Sequence, residues 1–437
     1  MDDSPFLRPY FRRLEEFSVL RWTGRVTKAV GHLVESDGPF CSVGEGCAIL
    51  TEDGQIFSGE IVGFRGRTVL SMPLERPSGI RFGDRIVTRG TQPSLRVGPD
   101  ILGRVLDGSG KPLDHLPAYR AHEYLPLQGD APLPLDREPI RSPLGSGIRA
   151  IDGLLTCGRG QRVGIFGGSG VGKSTLIGMM TRATSADMTV LALVGERGRE
   201  VREFLEEAIG PEGLQRSVVM VSTSDQSPLL RIRAALAATT VAEFFSRQGK
   251  NVLLVVDSLT RFAMAQREIG LAAGEPPTAK GYTPSVFTLL ARLIERAGNF
   301  GSGSITAFYT VLMEGDDQQD PLVDAVRALL DGHVILDRKL SAQGHYPPIS
   351  ILDSLSRLMP AVCSAEHLEK ARRLRQLLAA YSASEDLIRV GAYQKGADMM
   401  LDRAISALPA INSFLQQRKN DLAPLEQTLQ ALQALSA

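Results

Sequence analysis

The sequence predicts a multidomain protein: a β-barrel at residues 20–96, an α/β domain with a mostly parallel sheet at 97–360, and an α-helical domain at 361–437. Three observations support this division. The first zone has short strands separated by turns, the second alternates apolar strands with helices, and the third has apolar residues at helical spacing. A short segment, residues 1–19, precedes the barrel.

The chain has 437 residues with 49 basic and 49 acidic side chains, so its formal net charge is zero. A protein that mainly coats nucleic acid usually carries a basic excess, so this balance argues against that class. We expect no membrane-spanning helix and no secretory signal, because the apolar runs are strand-sized. The four cysteines have no common zinc-site spacing, which favours reduced thiols in a cytoplasmic protein.

Residues 1–19 mix apolar side chains at helical spacing with arginines and glutamates. Two interpretations remain open for this segment. It is either a first helix packed on its own domain, or a short amphipathic arm for a partner or a membrane surface.

The barrel is predicted from short runs rich in Val, Ile and Phe, punctuated by DG, RG and GD turns. After it, LGRVLDGSGKPLD at 102–114 is typical of a strand followed by a glycine-rich turn. The proline-rich stretch 117–143 favours an extended connector along a surface instead of a regular element.

In the central domain, continuous apolar runs between helical stretches indicate parallel strands that are buried on both faces of a sheet. The predicted strands are 162–167, 189–195, 217–222, 252–257, 304–311 and 333–337. Past residue 361, LEKARRLRQLLAAY and LAPLEQTLQALQAL place leucines on one helical face.

The strand RVGIFG runs into GGSGVGKST and then into a helical stretch, which is the context of a P-loop. Its glycines allow backbone N–H groups to cradle phosphate oxygens, Lys173 reaches the β- and γ-phosphates, and the Ser174 hydroxyl is a ligand for Mg²⁺. We therefore predict a nucleoside triphosphate site. Its predicted binding residues are Gly167, Gly168, Ser169, Gly170, Val171, Gly172, Lys173, Ser174 and Thr175.

Two acids that end or follow apolar strands complete the predicted chemistry. Asp257 ends VLLVVD, and we expect it to hold the hydrated magnesium, with capping of the next turn as the alternative. Glu196 follows TVLALVG and is the candidate base for the attacking water, while Arg197 is a candidate γ-phosphate contact. A surface charge cluster would give the same spacing, and we expect Glu200 and Glu203 to be solvated.

Two further arginines each have two interpretations. Arg357, in ILDSLSRLMP, lies four residues after Asp353, so locally it predicts an i,i+4 ion pair on a helical turn. The alternative is an arginine finger that stabilises the γ-phosphate. Arg296, in ARLIER, is either an interface or phosphate-side residue, or a member of a helical ion pair.

The resemblance to a known family is carried by the P-loop region and by GERGREV, VLLVVDSLTRFAMAQREI, GEPPTAKGYTPSVF, GSITAFYTVLMEGDDQQDP and GHYPPISILDSLSRLMP. In these segments the chain resembles the type III secretion ATPases, most of all the flagellar protein export ATPases (flagellum-specific ATP synthases). That group is similar to the alpha and beta subunits of rotary F-type ATP synthases. The resemblance extends from about residue 20 to about residue 420.

The resemblance implies a barrel, a RecA-like ATPase core and a helical C-terminal domain, assembled as a homo-hexameric ring with ATP at each interface. It also implies Mg²⁺-dependent ATP hydrolysis coupled to flagellar protein export, in the cytoplasm and peripherally at the inner membrane. Tyr346 would stack on adenine, Tyr393 would close the other side of the base, and Arg357 would serve the ATP of the next subunit.

The implied partners are a regulator bound to residues 1–19, a central-stalk coiled coil, export substrates with their chaperones, and the membrane export gate. The loop 314–321 matches the stalk-contacting segment, with a solvated acidic loop as the alternative.

Three other functions are weighed against this one. A virulence-type injectisome ATPase shares the same motifs. A ring nucleic-acid translocase needs a basic barrel with exposed aromatic residues, and the barrel region is predicted to have few and a balanced charge. A non-catalytic nucleotide-binding subunit would be expected to lack Glu196. We therefore expect an enzyme without a nucleic-acid partner.

Overall fold

The computed structural model describes residues 22–313 and 320–435. The predicted arm at residues 1–19 and most of the predicted stalk-contacting loop therefore lie outside the described residues. In the part of the chain that is described, no helix combines the length and the apolar character that a membrane crossing requires. The four cysteines are free.

The N-terminal domain is a closed antiparallel barrel in the order β1-β2-β5-β4-β3-β6. Its inward positions carry small or β-branched apolar side chains such as Val26, Val34, Ile49 and Ile86, and these form a separate barrel core. Alternation along the strands places the intervening residues outside. The strands are β1 Thr23–Val30, β2 Leu33–Asp37, β3 Gly46–Leu50, β4 Ile56–Arg65, β5 Thr68–Pro73 and β6 Arg85–Thr88.

The outer surface of the barrel carries more aromatic residues than the sequence predicted. Trp22, Phe40, Phe64 and Phe82 are all exposed, so the expectation of few exposed aromatics is wrong. Some aromatic side chains remain at solvent-facing strand and loop positions, and the apolar pattern alone does not separate them from buried ones.

The connector after the barrel is more regular than predicted. Strand β7, Ser94–Val97, pairs with β9, Glu123–Pro126, so part of the proline-rich stretch forms an antiparallel ribbon. Between them, β8, Val105–Asp107, joins the edge of the central sheet, as the strand pattern of 102–114 indicated. Backbone pairing by β9 is compatible with its proline because Pro126 ends the strand.

The central sheet of the described chain has nine strands in the order β19-β18-β12-β17-β15-β13-β14-β8, with β16 attached to β17. All neighbours along that order are parallel except β18 and β19, and β16 is also antiparallel to β17. The remaining strands are β10 Pro143–Leu144, β11 Cys157–Gly158, β12 Arg162–Gly167, β13 Met188–Glu196, β14 Ser217–Thr223, β15 Asn251–Asp257, β16 Gly298–Phe300, β17 Gly303–Leu312, β18 Gly332–Leu336 and β19 Ile349–Ser356.

Helices cover both faces of this sheet and give two large apolar cores, which is why its strands read as continuous apolar runs. The helices are α1 Arg149–Leu154, α2 Lys173–Ala183, α3 Gly198–Glu203, α4 Gly210–Gln215, α5 Pro228–Arg247, α6 Leu259–Ala273, α7 Pro284–Glu295, α8 Pro321–Leu329, α9 Arg338–Ala342, α10 Met359–Val362, α11 Ala365–Arg389, α12 Met399–Leu415 and α13 Leu425–Leu435. A π-helical turn, Phe204–Ile209, joins α3 to α4.

The local interpretation of ILDSLSRLMP as a helical turn is wrong. Residues 349–356 form β19, an antiparallel edge strand paired with β18. The Asp353 carboxylate accepts a hydrogen bond from Ser350 Oγ at 2.6 Å. Arg357 follows the strand and is exposed, with its backbone N–H donating to Asp331 O at 3.0 Å.

Candidate active site

The P-loop connects β12 to α2 at the carboxyl end of the central sheet. Gly170 and Gly172 have φ of 77° and 100°, in the left-handed region that side chains disfavour. Helix α2 begins at Lys173, directly after this turn. A glycine-rich turn that ends at a helix N-terminus directs backbone N–H groups at an anion, so the predicted loop has the geometry to bind phosphates.

Lys173 is buried, and its Nζ donates to Gly167 O at 2.9 Å and to Gly168 O at 3.0 Å. These two carbonyl groups hold the ammonium group inside the loop. Burial lowers the pKa of Lys173 to about 8, although the nearby carboxylates of Asp257 and Glu196 oppose that shift. A bound polyphosphate would favour the charged form further.

The residues predicted to hold magnesium face one cavity of about 260 Å³. Ser174 and Asp257 both line it, as does Thr175. Asp257 ends β15, and its Oδ1 accepts a hydrogen bond of 2.5 Å from Thr310 Oγ1. A hydroxyl and a carboxylate are hard oxygen ligands, and Mg²⁺ usually takes only one or two such protein ligands beside phosphates and water. The residues present therefore fit a magnesium–nucleotide complex.

Glu196 ends β13 and lines the same cavity as Ser174 and Asp257. Burial raises the pKa of Glu196 to about 7, and the Asp257 carboxylate and a hydrogen bond with Glu200 act in the same direction. A carboxyl group with this pKa can accept a proton near neutral pH, as a general base for water requires.

The Arg197 side chain, unlike that of Glu196, lies outside the cavity. Its side chain is 79% exposed and pairs with Glu200 at 3.3 Å, and it does not line the cavity. Glu200 and Glu203 are solvated as expected, with side chains 39% and 51% exposed, and both also line the open cavity. Both lie in α3, which begins at Gly198 shortly after the end of β13.

Arg261 is a site residue that the sequence analysis missed. It lies in the first turn of α6, four residues after Asp257, and packs against Gly195, where an added Cβ would be 3.1 Å from Arg261 Cβ. Its charge opposes the raised pKa values of Glu196 and Asp257. Its Nε is buried without a partner among the described residues. The DSLTR spacing could have predicted it, because a helix that follows a strand starts at the same sheet edge.

A second cavity, of about 640 Å³, lies on the other side of the P-loop. Tyr346 lines it, and the Cβ that Gly172 lacks would be 3.9 Å from Tyr346 Cε1. Pro347 and Pro348 complete that wall, and residues from the 413–421 segment form the opposite one. Thr175 and Lys419 line both cavities, so the two cavities are adjacent.

Tyr393 does not line this cavity. Its hydroxyl lies 2.9 Å from Asp402 Oδ1 in the first turn of α12 and 3.1 Å from Asp398 O just before that helix. Residues of the 413–421 segment, and not Tyr393, line the wall of this cavity. No local sequence pattern identifies that segment, because it reaches the P-loop only through the packing of the C-terminal helices.

Arg296 lies in the core, and the interpretation as an interface or phosphate-side residue is wrong. Its side chain is 1% exposed, and Nε and Nη2 donate to the two carboxylate oxygens of Glu243 at 2.7 and 2.9 Å. Further hydrogen bonds join it to Leu127 O at 2.8 Å and to Thr240 Oγ1 at 2.9 Å.

A P-loop with strand-end acids at the carboxyl edge of a parallel sheet defines a P-loop nucleoside triphosphatase. Residues 147–356 match the ATP synthase alpha/beta family, nucleotide-binding domain, and residues 26–90 match the β-barrel domain of that family. Residues 363–434 match the T3SS EscN ATPase C-terminal domain. The chain belongs to the type III secretion ATPases of the ATP synthase alpha/beta family, and it is an ATPase.

Named relatives agree with this assignment along the full chain. It is 52% identical to the flagellum-specific ATP synthase of Pseudomonas aeruginosa, over 95% of this chain and 93% of that one. It is 47% identical to the type 3 secretion system ATPase of Xanthomonas euvesicatoria, over 97% and 96%. The assembled ATPase EscN of enteropathogenic E. coli matches with a TM-score of 0.89 and 44% identity, over 95% of this chain and 100% of that one. The predicted fold class, family and ATPase activity are confirmed.

Proposed function

We propose that this chain is the Mg²⁺-dependent ATPase of a flagellar protein export apparatus and acts as a homo-hexameric ring. One observation carries the ring: the P-loop, Asp257 and Glu196 lie at one end of the central sheet, and Arg357 lies at the other. Relatives named flagellum-specific ATP synthases, at up to 52% identity, support the flagellar assignment.

The position of Arg357 can be measured along the strands. Ser356 pairs with Gly332 in β18, which in turn pairs with Val163 near the start of β12, whereas the P-loop follows Gly167 at its end. Five residue steps at about 3.3 Å separate Arg162 from Gly167, or about 17 Å. An arginine side chain spans less than half of that distance, which supports the proposal that Arg357 serves the ATP of the next subunit and not its own.

In the proposed reaction, water attacks the γ-phosphorus of ATP in line with the leaving β-phosphate oxygen. Glu196 orients this water and accepts its proton, while Lys173 and the loop N–H groups hold the transferred phosphoryl group. Ser174 and Asp257 would hold magnesium, which would supply positive charge beside the phosphates. Arg261 and the neighbouring subunit's arginine stabilise the charge that develops, with Arg197 as a further candidate contact.

The partner set follows from the family. A relative's structure holds EscN in complex with its central stalk EscO, which supports a coiled-coil stalk as a partner here. We assign residues 1–19 to a regulator of the apparatus and residues 314–321 to the stalk. Export substrates, their chaperones and the membrane export gate complete the set, so the ring works in the cytoplasm, peripherally at the inner membrane.

A complementation experiment tests this function. A strain that lacks this gene should be non-motile and should not export flagellar filament protein, and the wild-type gene should restore both. Glu196→Gln should restore neither, at equal protein levels, because the attacking water loses its base. As a matched control, Glu206→Gln changes an exposed carboxylate in the π-helical turn that follows α3 and should restore motility. A motile deletion strain that fails only to secrete virulence effectors would contradict the flagellar assignment.

A further inference from the structure

We propose that Gln161 is a positioning residue for catalysis, a role that rests on the proposed function, in which Arg357 acts across the ring interface. The buried Gln161 amide fixes the backbone that carries Arg357, so that this arginine meets the ATP of the neighbouring subunit. Gln161 lies in the turn between β11 and β12, at the end of the central sheet opposite the P-loop. It directly precedes β12, so the length of that strand separates it from the P-loop of its own chain.

The position of Arg357 depends on its backbone. Its side chain is exposed, and among residues 22–313 and 320–435 its guanidinium group has no hydrogen bond or ion pair. A long, flexible side chain of this kind starts from a fixed point only if the backbone beneath it is fixed. Ser356 ends β19 directly before it, and the Arg357 N–H donates to Asp331 O at 3.0 Å. Ser356 and Asp331 therefore define where the arginine side chain begins.

The Gln161 amide joins these two residues. Its Nε2 donates to Asp331 O at 3.2 Å and to Ser356 Oγ at 3.1 Å. Its Oε1 accepts from Gly158 N at 2.8 Å. The side chain is fully buried, and its two donor hydrogens and its oxygen all have partners in the protein. Because Asp331 O accepts from both Gln161 and Arg357, the amide is tied directly to the arginine backbone.

The partners of the amide are themselves held in place. Ser356 Oγ donates to Thr156 O at 2.8 Å, which leaves its lone pairs to accept from the amide. The Arg162 guanidinium donates to the two carboxylate oxygens of Asp331, each at 3.1 Å. A buried polar network in which every member is bonded specifies one arrangement, and loss of one member leaves its partners unsatisfied. The network therefore gives Arg357 one defined starting point.

Gly332 provides the space that the amide needs. It pairs with Ser356 across β18 and β19. A Cβ at this position would be 2.6 Å from Leu355 O and 3.2 Å from Gln161 Nε2, which is too close for ordinary contact. A glycine within a strand often marks such a close approach of another group. Here it allows the edge strand and the Gln161 amide to lie directly against each other.

Gln161→Leu tests the positioning role, because it removes the amide and keeps a side chain of similar size. We expect kcat for ATP hydrolysis to fall by about 10- to 100-fold, since a displacement of about 1 Å at a catalytic group can cost about 10²-fold. KM should stay unchanged, because the lost interaction acts on the transition state. Phosphate release by full-length rings measures both values.

The matched control is Gln248→Leu. Gln248 is an exposed glutamine in the turn before β15, at the same end of the sheet, and its substitution should leave kcat unchanged. Wild-type kcat in Gln161→Leu rings overturns the inference.

Mixed rings distinguish a misplaced arginine from a damaged P-loop. In equal mixtures of Gln161→Leu and Lys173→Ala chains, about one interface in four joins an intact P-loop to a correctly held arginine. The ATPase rate should then rise at least about twofold above that of Gln161→Leu rings alone. Mixtures with Arg357→Ala chains should show no rise, because no chain then presents a correctly held arginine.

Other mixing patterns overturn the inference. A rise only with Arg357→Ala chains would show that Gln161→Leu damages its own P-loop, and a rise in neither mixture would show damage on both sides. If Gln161→Leu chains do not assemble, Ser356→Ala takes their place, because it removes one acceptor of the amide and leaves Gln161 intact. It should show the same mixing pattern with a smaller loss of kcat, and wild-type kcat in this variant would count against the positioning role.

A reference mixture separates this inference from the proposed function. Arg357→Ala mixed with Lys173→Ala tests the action of Arg357 across the interface without any change at Gln161. If this mixture shows no recovery, the proposed function of Arg357 fails. If it recovers and the mixture of Gln161→Leu with Lys173→Ala does not, only the role of Gln161 fails.

Discussion

At the scale of single residues, the raised pKa of Glu196 sets the pH dependence. Below pH 7 this carboxyl group is protonated and cannot accept a proton from water, so kcat/KM should fall as the pH drops through about 7. Above pH 8 Lys173 loses its charge in the free enzyme, so kcat/KM should fall again. A profile of kcat/KM from pH 5 to 9 at saturating magnesium checks both limbs.

Two variants test whether the titration of Glu196 causes the acid limb of that profile. Glu200→Gln replaces a carboxyl group that helps to raise the pKa of Glu196, so the acid limb should move to lower pH. Glu206→Gln alters an exposed carboxylate that pairs with Arg202, and should leave the profile in place. An acid limb near the ordinary glutamate pKa in the wild type would mean that Glu196 is not the base.

The site residues differ in whether the sequence alone could predict them. The P-loop residues, Glu196 and Asp257 could be predicted because each directly follows or ends an apolar strand, and parallel strands share one carboxyl edge. Segment 413–421 could not be predicted, since it reaches the P-loop through tertiary packing of the C-terminal helices. Family resemblance predicted the role of Arg357. Its position, at the end of the sheet opposite the P-loop, became visible only in the structure.

At the scale of elements, the parallel strands were predictable and the edge strand β19 was not. The buried positions of β19 include Ser354 and Ser356 in place of apolar side chains, which hides the two-residue period. Ser354 Oγ accepts from Ile335 N at 2.9 Å, and Ser356 Oγ donates to Thr156 O at 2.8 Å. These hydrogen bonds satisfy the buried serine hydroxyls. No local sequence pattern predicts these hydrogen bonds.

The ion pair between α5 and the end of α7 gives a stability prediction at the same scale. Arg296→Ala leaves the Glu243 carboxylate buried without its partner and should lower the free energy of unfolding by about 3–5 kcal/mol. Chemical denaturation of the wild type and the variant measures the difference.

The double variant Arg296→Met, Glu243→Leu should lose less free energy of unfolding than Arg296→Ala, because it leaves no unpaired charge in the core. Arg389→Ala removes an exposed pair with Glu385 and should change little. A loss no greater in Arg296→Ala than in Arg389→Ala would contradict the buried-pair assignment.

At the scale of the whole molecule, we predict that catalysis needs two neighbouring chains, because Arg357 lies at the end of the sheet opposite its own P-loop. Arg357→Ala and Lys173→Ala should each be inactive alone, since an arginine finger contributes roughly 10³–10⁵ to the rate. In co-assembled rings, about one interface in four joins an intact P-loop to an intact arginine if the chains mix at random. The ATPase rate of such rings, verified by two different affinity tags, should therefore recover in part.

The control for this mixing experiment removes the intact P-loop from every chain. Lys173→Ala mixed with the double variant Lys173→Ala, Arg357→Ala forms the same interfaces but holds no competent site, so it should stay inactive. Recovery only in the first mixture assigns Arg357 to the neighbour's ATP. If verified mixed rings show no recovery, Arg357 does not act across the interface. Because Ser356 and Arg357 lie at the end of the sheet opposite the P-loop, catalysis in cis would then also lack this arginine, and Lys173 and Arg261 would be left to stabilise the charge on the γ-phosphate.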